Sequence, residues 1–313
     1  MNSPAPLRMA FLVDQQVNLL DLCSPLQTFE TINQFSEHGE RRYESLVVSL
    51  HGGLITSSCG QKLMTAPIAA LDDFPLDTLI ITGGRAGVEH NEPAQLIAAI
   101  ARLAPLARRT CALSTGVFLL AAAGQLTGRT VSAHWSWAHA LQQRYPDMQI
   151  DSDRIFIRDG TIWTSAGMTA GLDLSLALIE QDYGHGMSMR AARQLVMFIK
   201  RPGVQSQVSV SLAVQSSGDS QFDDLHAWVA SNLCEDLCVS RLAEKVCMAP
   251  RTFARTYTQR LGRTPAKTIE AMRLEAACRA LENLATPLKR IAAKVGMLSE
   301  QTMHRAFKRA YGI

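Results

Sequence analysis

The stretch Thr110-Cys111-Ala112-Leu113-Ser114-Thr115-Gly116-Val117-Phe118-Leu119-Leu120-Ala121 carries an apolar run into a small-residue turn and out again as a helix. An α/β domain uses this pattern to expose a nucleophile or to bind an anion on helix N–H groups. The turn offers the hydroxyl of Ser114, whereas the nearest thiol, Cys111, lies three residues too early. A serine hydroxyl is a poor nucleophile without a positioned base, while a thiol is partly ionised near neutral pH. The residue type at position 114 therefore favours binding over catalysis.

Holding such a turn requires a sheet. Leu7 to Val13 reads as a first buried strand, Asp21 to Phe29 opens a helix, and Tyr43 to Leu50 reads as a second strand with Val47, Val48 and Leu50 apolar. Leu76 to Thr82 predicts a third strand running into Gly83-Gly84, Pro93 to Leu106 has helical periodicity, and Leu172 to Asp182 predicts an apolar helix followed by Met187 to Lys200. Strands alternating with amphipathic helices predict an α/β fold, a parallel sheet with helices on both faces. Ligands bind such sheets beyond the carboxyl ends of the strands. That rule gathers Asp21, Gly83, Gly84, Ser114, Thr115, Gly116, His134 and Ser165 as candidate ligand-binding residues. Glycines there let N–H groups approach a ligand oxygen, although each glycine alone also serves a tight turn.

At 313 residues, 47% hydrophobic and 19% charged, the chain exceeds one average domain. Two are expected: a sheet domain over 1–200, a Ser-, Gln- and Gly-containing linker over 201–221, and an all-helical domain over 222–313. No uncharged apolar run of about 18 residues and no basic, then apolar, leader is found, so a cytoplasmic protein without membrane contact is expected. Seven cysteines are scattered, and only Cys234 and Cys238 are close. The expectation is reduced, mostly buried thiols, with no metal and no cofactor. Net charge is +3, yet residues 223–313 hold 15 Lys and Arg against 9 Asp and Glu, while residues 1–222 hold 16 against 19. A basic tail on a near-neutral domain fits a polyanion partner, though a solvated basic face has the same composition.

From Phe222 the pattern is helical throughout. Leu225, Trp228, Val229 and Leu233 recur at helical spacing, Val239 to Val246 predicts a short helix, and Ala249 to Arg260 a second one after a Cys247-Met248 turn. Leu242, Val246, Phe253 and Tyr257 can pack together and leave Arg251, Thr252, Arg255 and Gln259 outside, which is a helix-turn-helix shape. It recurs: Leu-Ala-Glu-Lys-Val at 242–246 matches Ile-Ala-Ala-Lys-Val at 291–295, and Phe253 and Tyr257 match Met303 and Phe307. Ser299 is positioned to cap the last helix. Thr264-Pro265 begins a long helix through Arg273 to Leu284 between the copies.

Two resemblances follow. The order Asp21-Leu22-Cys23-Ser24-Pro25, Thr82-Gly83-Gly84, Ser114-Thr115-Gly116, His134-Trp135 and Thr164 to Leu174 resembles the PfpI-like branch of the class I glutamine amidotransferase-like superfamily over roughly residues 7 to 200. This implies a flavodoxin-like parallel-sheet sandwich. Catalytic members carry a cysteine at the position of Ser114, often with a histidine corresponding to His134 and an acidic residue near Asp21, so the resemblance implies a binding domain here. The paired motif over residues 222 to 313, with Gly262-Arg263-Thr264-Pro265, Arg273 to Ala277 and Ile291 to Gly296, resembles the AraC/XylS DNA-binding domain. It implies base reading by Arg251, Ala254 and Arg255 and by Glu300, Gln301, His304 and Arg305. Phosphate contacts are implied for Lys245, Lys294, Lys308 and Arg309. The family's pattern continues beyond the equivalent of Tyr311-Gly312 with a proline-containing segment and a final short helix, which the sequence given does not contain.

Together these imply a non-enzymatic regulator that binds double-stranded DNA, an activator and a homodimer, controlled by a small effector. Resemblance to regulators of amino-acid and quaternary-amine catabolism implies an amino-acid or amine effector. Two rivals stay open: a hydratase- or amidase-type enzyme with a DNA-binding tail, and an architectural DNA-binding protein without ligand.

Overall fold

In the computed structural model the strands expected from Leu7, Tyr43, Leu76 and Thr110 all join one sheet. Residues 5–36, 39–84, 93–197, 200–208, 220–281 and 286–311 are described. The chain divides into two units, residues 1–207 and 208–313.

The first unit is built on eight strands: β1 (Leu7–Leu12), β2 (Tyr43–Ser49), β3 (His51–Thr56), β4 (Lys62–Pro67), β5 (Thr78–Ile81), β6 (Arg109–Leu113), β9 (Phe156–Asp159) and β10 (Ile162–Ser165). Their order is β3-β4-β2-β1-β5-β6-β10-β9. A separate pair, β7 (Thr130–Ser132) and β8 (Gln149–Asp151), runs parallel, and α2 (Ala94–Leu103), α4 (Ala138–Arg144), α5 (Ala170–Tyr183) and α6 (His185–Gln194) are among the helices of this unit. The inner strands pair in parallel, and β3 and β9 run antiparallel at the two edges. β5, β6 and β10 are buried along their whole length, as strands covered on both faces are. One core, with Leu12, Leu79, Ile100, Val117 and Phe118, covers one face. The other, with Phe11, Phe29, Tyr43, Leu174 and Ile179, covers the opposite face. Chain order reverses between β2-β1 and β1-β5, and at this switch point the loop after β5 bonds to Asn18, which precedes α1 (Leu19–Asn33), and to Thr115, which precedes α3 (Gly116–Ala122).

Three expectations are corrected. The expected third strand is the fifth, because the β3–β4 hairpin precedes it. Residues 201–207, whose composition reads as linker, are bound to the sheet domain instead: the Arg201 guanidinium pairs with buried Asp173 at 2.7 Å, and Ile155 N–H donates to the Gln205 carbonyl at 3.0 Å. Residues 209–219 of the expected linker lie outside the described residues, as does Leu284 at the end of the expected long helix, while Ser220 and Gln221 already belong to a helix. The thiols are all free, but only Cys111 is buried, and Cys23, Cys59, Cys234, Cys238 and Cys247 are exposed.

The second unit consists of helices α7 (Ser220–Ser231), α8 (Val239–Lys245), α9 (Pro250–Leu261), α10 (Pro265–Leu281), α11 (Leu288–Lys294) and α12 (Glu300–Tyr311). Leu242, Val246, Phe253 and Tyr257 share a core as their spacing requires. α10 serves two cores: Ile269 and Met272 enter the first, and Leu274 and Ala277 join Ile291, Val295, Met303 and Ala306 in the second. Among the described residues no helix is long and apolar enough to cross a membrane.

Candidate ligand site and nucleic-acid interface

β6 ends at Leu113 and α3 begins at Gly116, so Ser114 must turn the chain within two residues. It does so at φ +53°, a conformation unfavourable for a residue with a Cβ. Three contacts hold it there. Its N–H donates to the Ser165 carbonyl at 3.0 Å. The Thr115 hydroxyl donates to the Gly84 carbonyl at 2.9 Å and accepts from the Gly84 N–H at 3.0 Å. Gly167 closes the far side: its φ is +86°, and a Cβ there would lie 2.2 Å from the Ser114 Cβ. A sharp, clamped turn of this kind stores backbone strain, which makes it a candidate site.

Asp21, in the first turn of α1, is fully buried and reaches across 147 residues of sequence to accept the Met168 N–H through Oδ1. Its Oδ2 has no hydrogen-bond partner among the described residues. Burial pushes the carboxyl up to about 6, against the opposing pull of the Met168 N–H and the nearby Ser114 hydroxyl. None of the described hydrogen bonds uses the Thr115 or Gly116 N–H. The elbow thus sets an unsatisfied carboxylate oxygen near a hydroxyl and two unengaged amides.

Other expected members of the site are placed differently. Ser165 is fully buried, and its hydroxyl donates to the Ile155 carbonyl at 3.2 Å and accepts from the Gly167 N–H at 3.3 Å, so it supports the turn and has no face toward a ligand. The Thr115 hydroxyl is likewise occupied. The His134 Nδ1 pairs with the Ser136 hydroxyl at 2.7 Å, burial lowers the ring's pKa, and none of its described hydrogen bonds reaches Ser114. Cys111 lies wholly inside the second core, where burial pushes its thiol up to about 12, which removes it as a nucleophile. Gly167 and Met168 were the residues to add; the signal was their place in the glycine-rich stretch after Ile162. Among the described residues no group of three or more His, Cys, Asp or Glu is arranged to hold a metal ion.

In the second unit each helix-turn-helix leaves its second helix open. Arg251 and Arg255 are exposed on α9, one turn apart, and Ala254 is half-buried beside them. Glu300, Gln301, His304 and Arg305 are exposed on α12, which the Ser299 hydroxyl caps by accepting the Thr302 N–H at 3.1 Å. No ion pair with a described residue engages Arg251, Arg255, Arg305, Lys294 or Lys308. Two expected phosphate contacts are otherwise employed: Arg309 pairs with Glu270, and the Lys245 Nζ sits 4.5 Å over the Trp228 ring. The turns between the helices share their backbone conformation and a closing bond. Cys247 and Gly296 both take left-handed φ, of +53° and +73°. Met248 N–H donates to Ala243 and Met297 N–H to Ala292, at 2.9 and 2.8 Å.

Comparison with known proteins agrees with this division. The DJ-1/PfpI family matches residues 7–181, and a helix-turn-helix domain matches residues 242–313. The HTH-type transcriptional regulator GbdR of Pseudomonas aeruginosa is 26% identical over 309 residues, spanning 98% of this chain and 83% of that protein. Isonitrile hydratase of Pseudomonas putida is 31% identical over 179 residues, spanning 57% of this chain and 73% of that enzyme. The crystal structure of an AraC family transcriptional regulator from Pseudomonas putida superposes with a TM-score of 0.53 at 22% identity, covering 61% of this chain and all of that one, a likeness of fold.

Proposed function

The chain belongs to the DJ-1/PfpI family and carries an AraC-type helix-turn-helix tail, and from that premise we propose a homodimeric transcriptional activator governed by a small amino-acid or amine effector bound at the Ser114 elbow. That it is a transcriptional regulator rests on both domains and on a relative aligned along nearly the full chain. The effector reading is carried by one observation, the buried Asp21 Oδ2 without a partner. A buried carboxylate oxygen lacking a donor is costly, and an ammonium or amide nitrogen supplies that donor. The Thr115 and Gly116 amides then suit the carboxylate of the same molecule. A ligand switches the protein only by binding one of its states better than another.

DNA recognition is tested directly. A randomised-duplex selection with the full-length protein should yield a defined site. Arg255→Ala and Arg305→Ala should each weaken binding to it by about 1–3 kcal/mol and relax the base preference at one position. Lys294→Ala should instead weaken binding to all duplexes alike and reduce the salt dependence. Selection of no consensus would contradict sequence-specific binding.

The hydratase relative favours a second reading, an enzyme with a DNA-binding tail. The elbow argues against it, since none of the described hydrogen bonds of His134 reaches Ser114, the acidic group beside that hydroxyl is a carboxyl already engaged by the Met168 N–H, and Cys111 is sealed in the core. Assayed on isonitriles and amides, the protein should show no turnover above that of Ser114→Ala. Turnover lost on that substitution would establish the enzyme.

A further inference from the structure

Gln207 is the last residue of the first unit, and its side chain grips the loop that carries His134. The Nε2 donates to the Ala133 carbonyl at 2.8 Å and to the Arg154 carbonyl at 3.1 Å, and Oε1 accepts the Trp135 N–H at 3.0 Å. Its own N–H donates to the Asp153 carbonyl at 2.7 Å. Just before it, Ser206 forms an antiparallel bridge with Arg154, closed on the other side by the Ile155–Gln205 bond.

These bonds run on to the elbow. The Ile155 carbonyl that neighbours the bridge accepts from the Ala166 N–H at 2.9 Å and from the Ser165 hydroxyl at 3.2 Å. The Ser165 carbonyl accepts the Ser114 N–H. Above the same strand end, the Ser132 hydroxyl donates to the Arg154 carbonyl at 2.6 Å, so the end of β7 and the strap over 201–207 share one acceptor. The backbone bridge alone would anchor the chain. The side chain of Gln207 adds a bond set specific to the 133–135 loop, which is exposed at Trp135.

We propose that Gln207 couples the candidate ligand site to the DNA-binding unit: it clamps the 133–135 loop, and an effector that moves this loop loosens the strap from which the chain continues into the helical tail. The inference rests on the effector-controlled regulator described above. Coupling of this kind requires a set of bonds with two arrangements that the ligand biases. The three side-chain bonds of Gln207 are the ones such a bias would make or break, because they alone tie its side chain to Ala133, Trp135 and Arg154 among the described hydrogen bonds.

The test compares full-length wild type, Gln207→Ala and the near-isosteric Gln207→Glu, which keeps the acceptor for Trp135 and loses both donated bonds. In purified protein the Trp135 and Gln207 amides should exchange at least about tenfold faster in Gln207→Ala, with the Leu79, Ile80 and Ile81 amides unchanged. In cells lacking their own copy, transcripts that depend on the protein should shift severalfold in both variants at equal protein level. Should exchange at Ile80 also rise in the alanine variant, the glutamate variant decides. Unaltered transcripts, or unaltered exchange at Trp135, would overturn the coupling. If no transcript depends on the wild-type protein, the regulator reading falls and takes the coupling with it.

Discussion

Gly296→Ala should unfold the distal half of the DNA-binding tail. The residue takes φ +73°, and a Cβ built on it would lie 1.9 Å from the Leu233 carbonyl oxygen and 2.9 Å from the Arg273 guanidinium. Neither neighbour can yield easily. Arg273, in α10, holds the Leu233 carbonyl at 3.0 Å and the Glu235 carbonyl at 2.8 Å, so the loop after α7 is fixed from one side by the guanidinium and from the other by the glycine. Left-handed strain and overpacking each cost about 1–3 kcal/mol, and their sum, about 3 kcal/mol or more, is a large part of the stability of so small a unit. Chemical denaturation of the full-length protein should show the loss in the helical transition, and duplex binding should go with it. The matched position supplies the control. Cys247 is exposed in the same left-handed turn, and Cys247→Gly should be neutral or stabilise by up to about 1 kcal/mol. Equal effects of the two substitutions would refute this account.

Asp21→Asn should stabilise the free protein at pH 7 and abolish its response to an effector. The carboxyl is fully buried with a folded-state pKa of about 6, above its unfolded value of 3.8. The folded form therefore holds the proton more tightly. Its contribution is fully present below about pH 4 and is lost as pH rises through about 6, leaving a penalty of up to about 3 kcal/mol at neutral pH. Asparagine keeps the acceptor for the Met168 N–H and removes the charge. Thermal melts from pH 4 to 8 should show the variant gaining on wild type across pH 4–6 and holding a constant lead above it. A flat difference would mean that Asp21 is solvated. In a screen of amino acids and primary amines, the compounds that raise the wild-type melting temperature should leave the variant unmoved, since ligand stabilisation follows binding by mass action.

Ser114 was legible because an apolar strand, a small-residue turn and a helix leave a local signature. The repeated helix-turn-helix was legible because Leu242 to Val246 and Ile291 to Val295 repeat the same core positions. Asp21 could be named as a member of the site, yet its bond to Met168 and its stranded oxygen depend on strands distant in sequence coming side by side. The β3–β4 hairpin escaped notice because Gly52 and Gly53 interrupt the apolar alternation of an edge strand. Gln207 and the strap before it read as linker, since composition records which side chains are polar and not which backbone groups find partners. Ser165 was expected to face a ligand for the same reason: its type admits two roles, and only the positions of Ile155 and Gly167 choose between them.

The second helices of the two helix-turn-helix motifs stand in the same backbone frame and carry different outward side chains. Arg251 and Arg255 face outward on one, and Glu300, Gln301, His304 and Arg305 on the other. On the proposed reading a single chain is therefore an unsymmetrical reader, with a head and a tail. The duplex segment it prefers has a polarity, and turning that segment end for end presents each helix with the other's bases. Palindromes are unnecessary for one protomer to bind; orientation relative to the start of transcription becomes information that the protein can use.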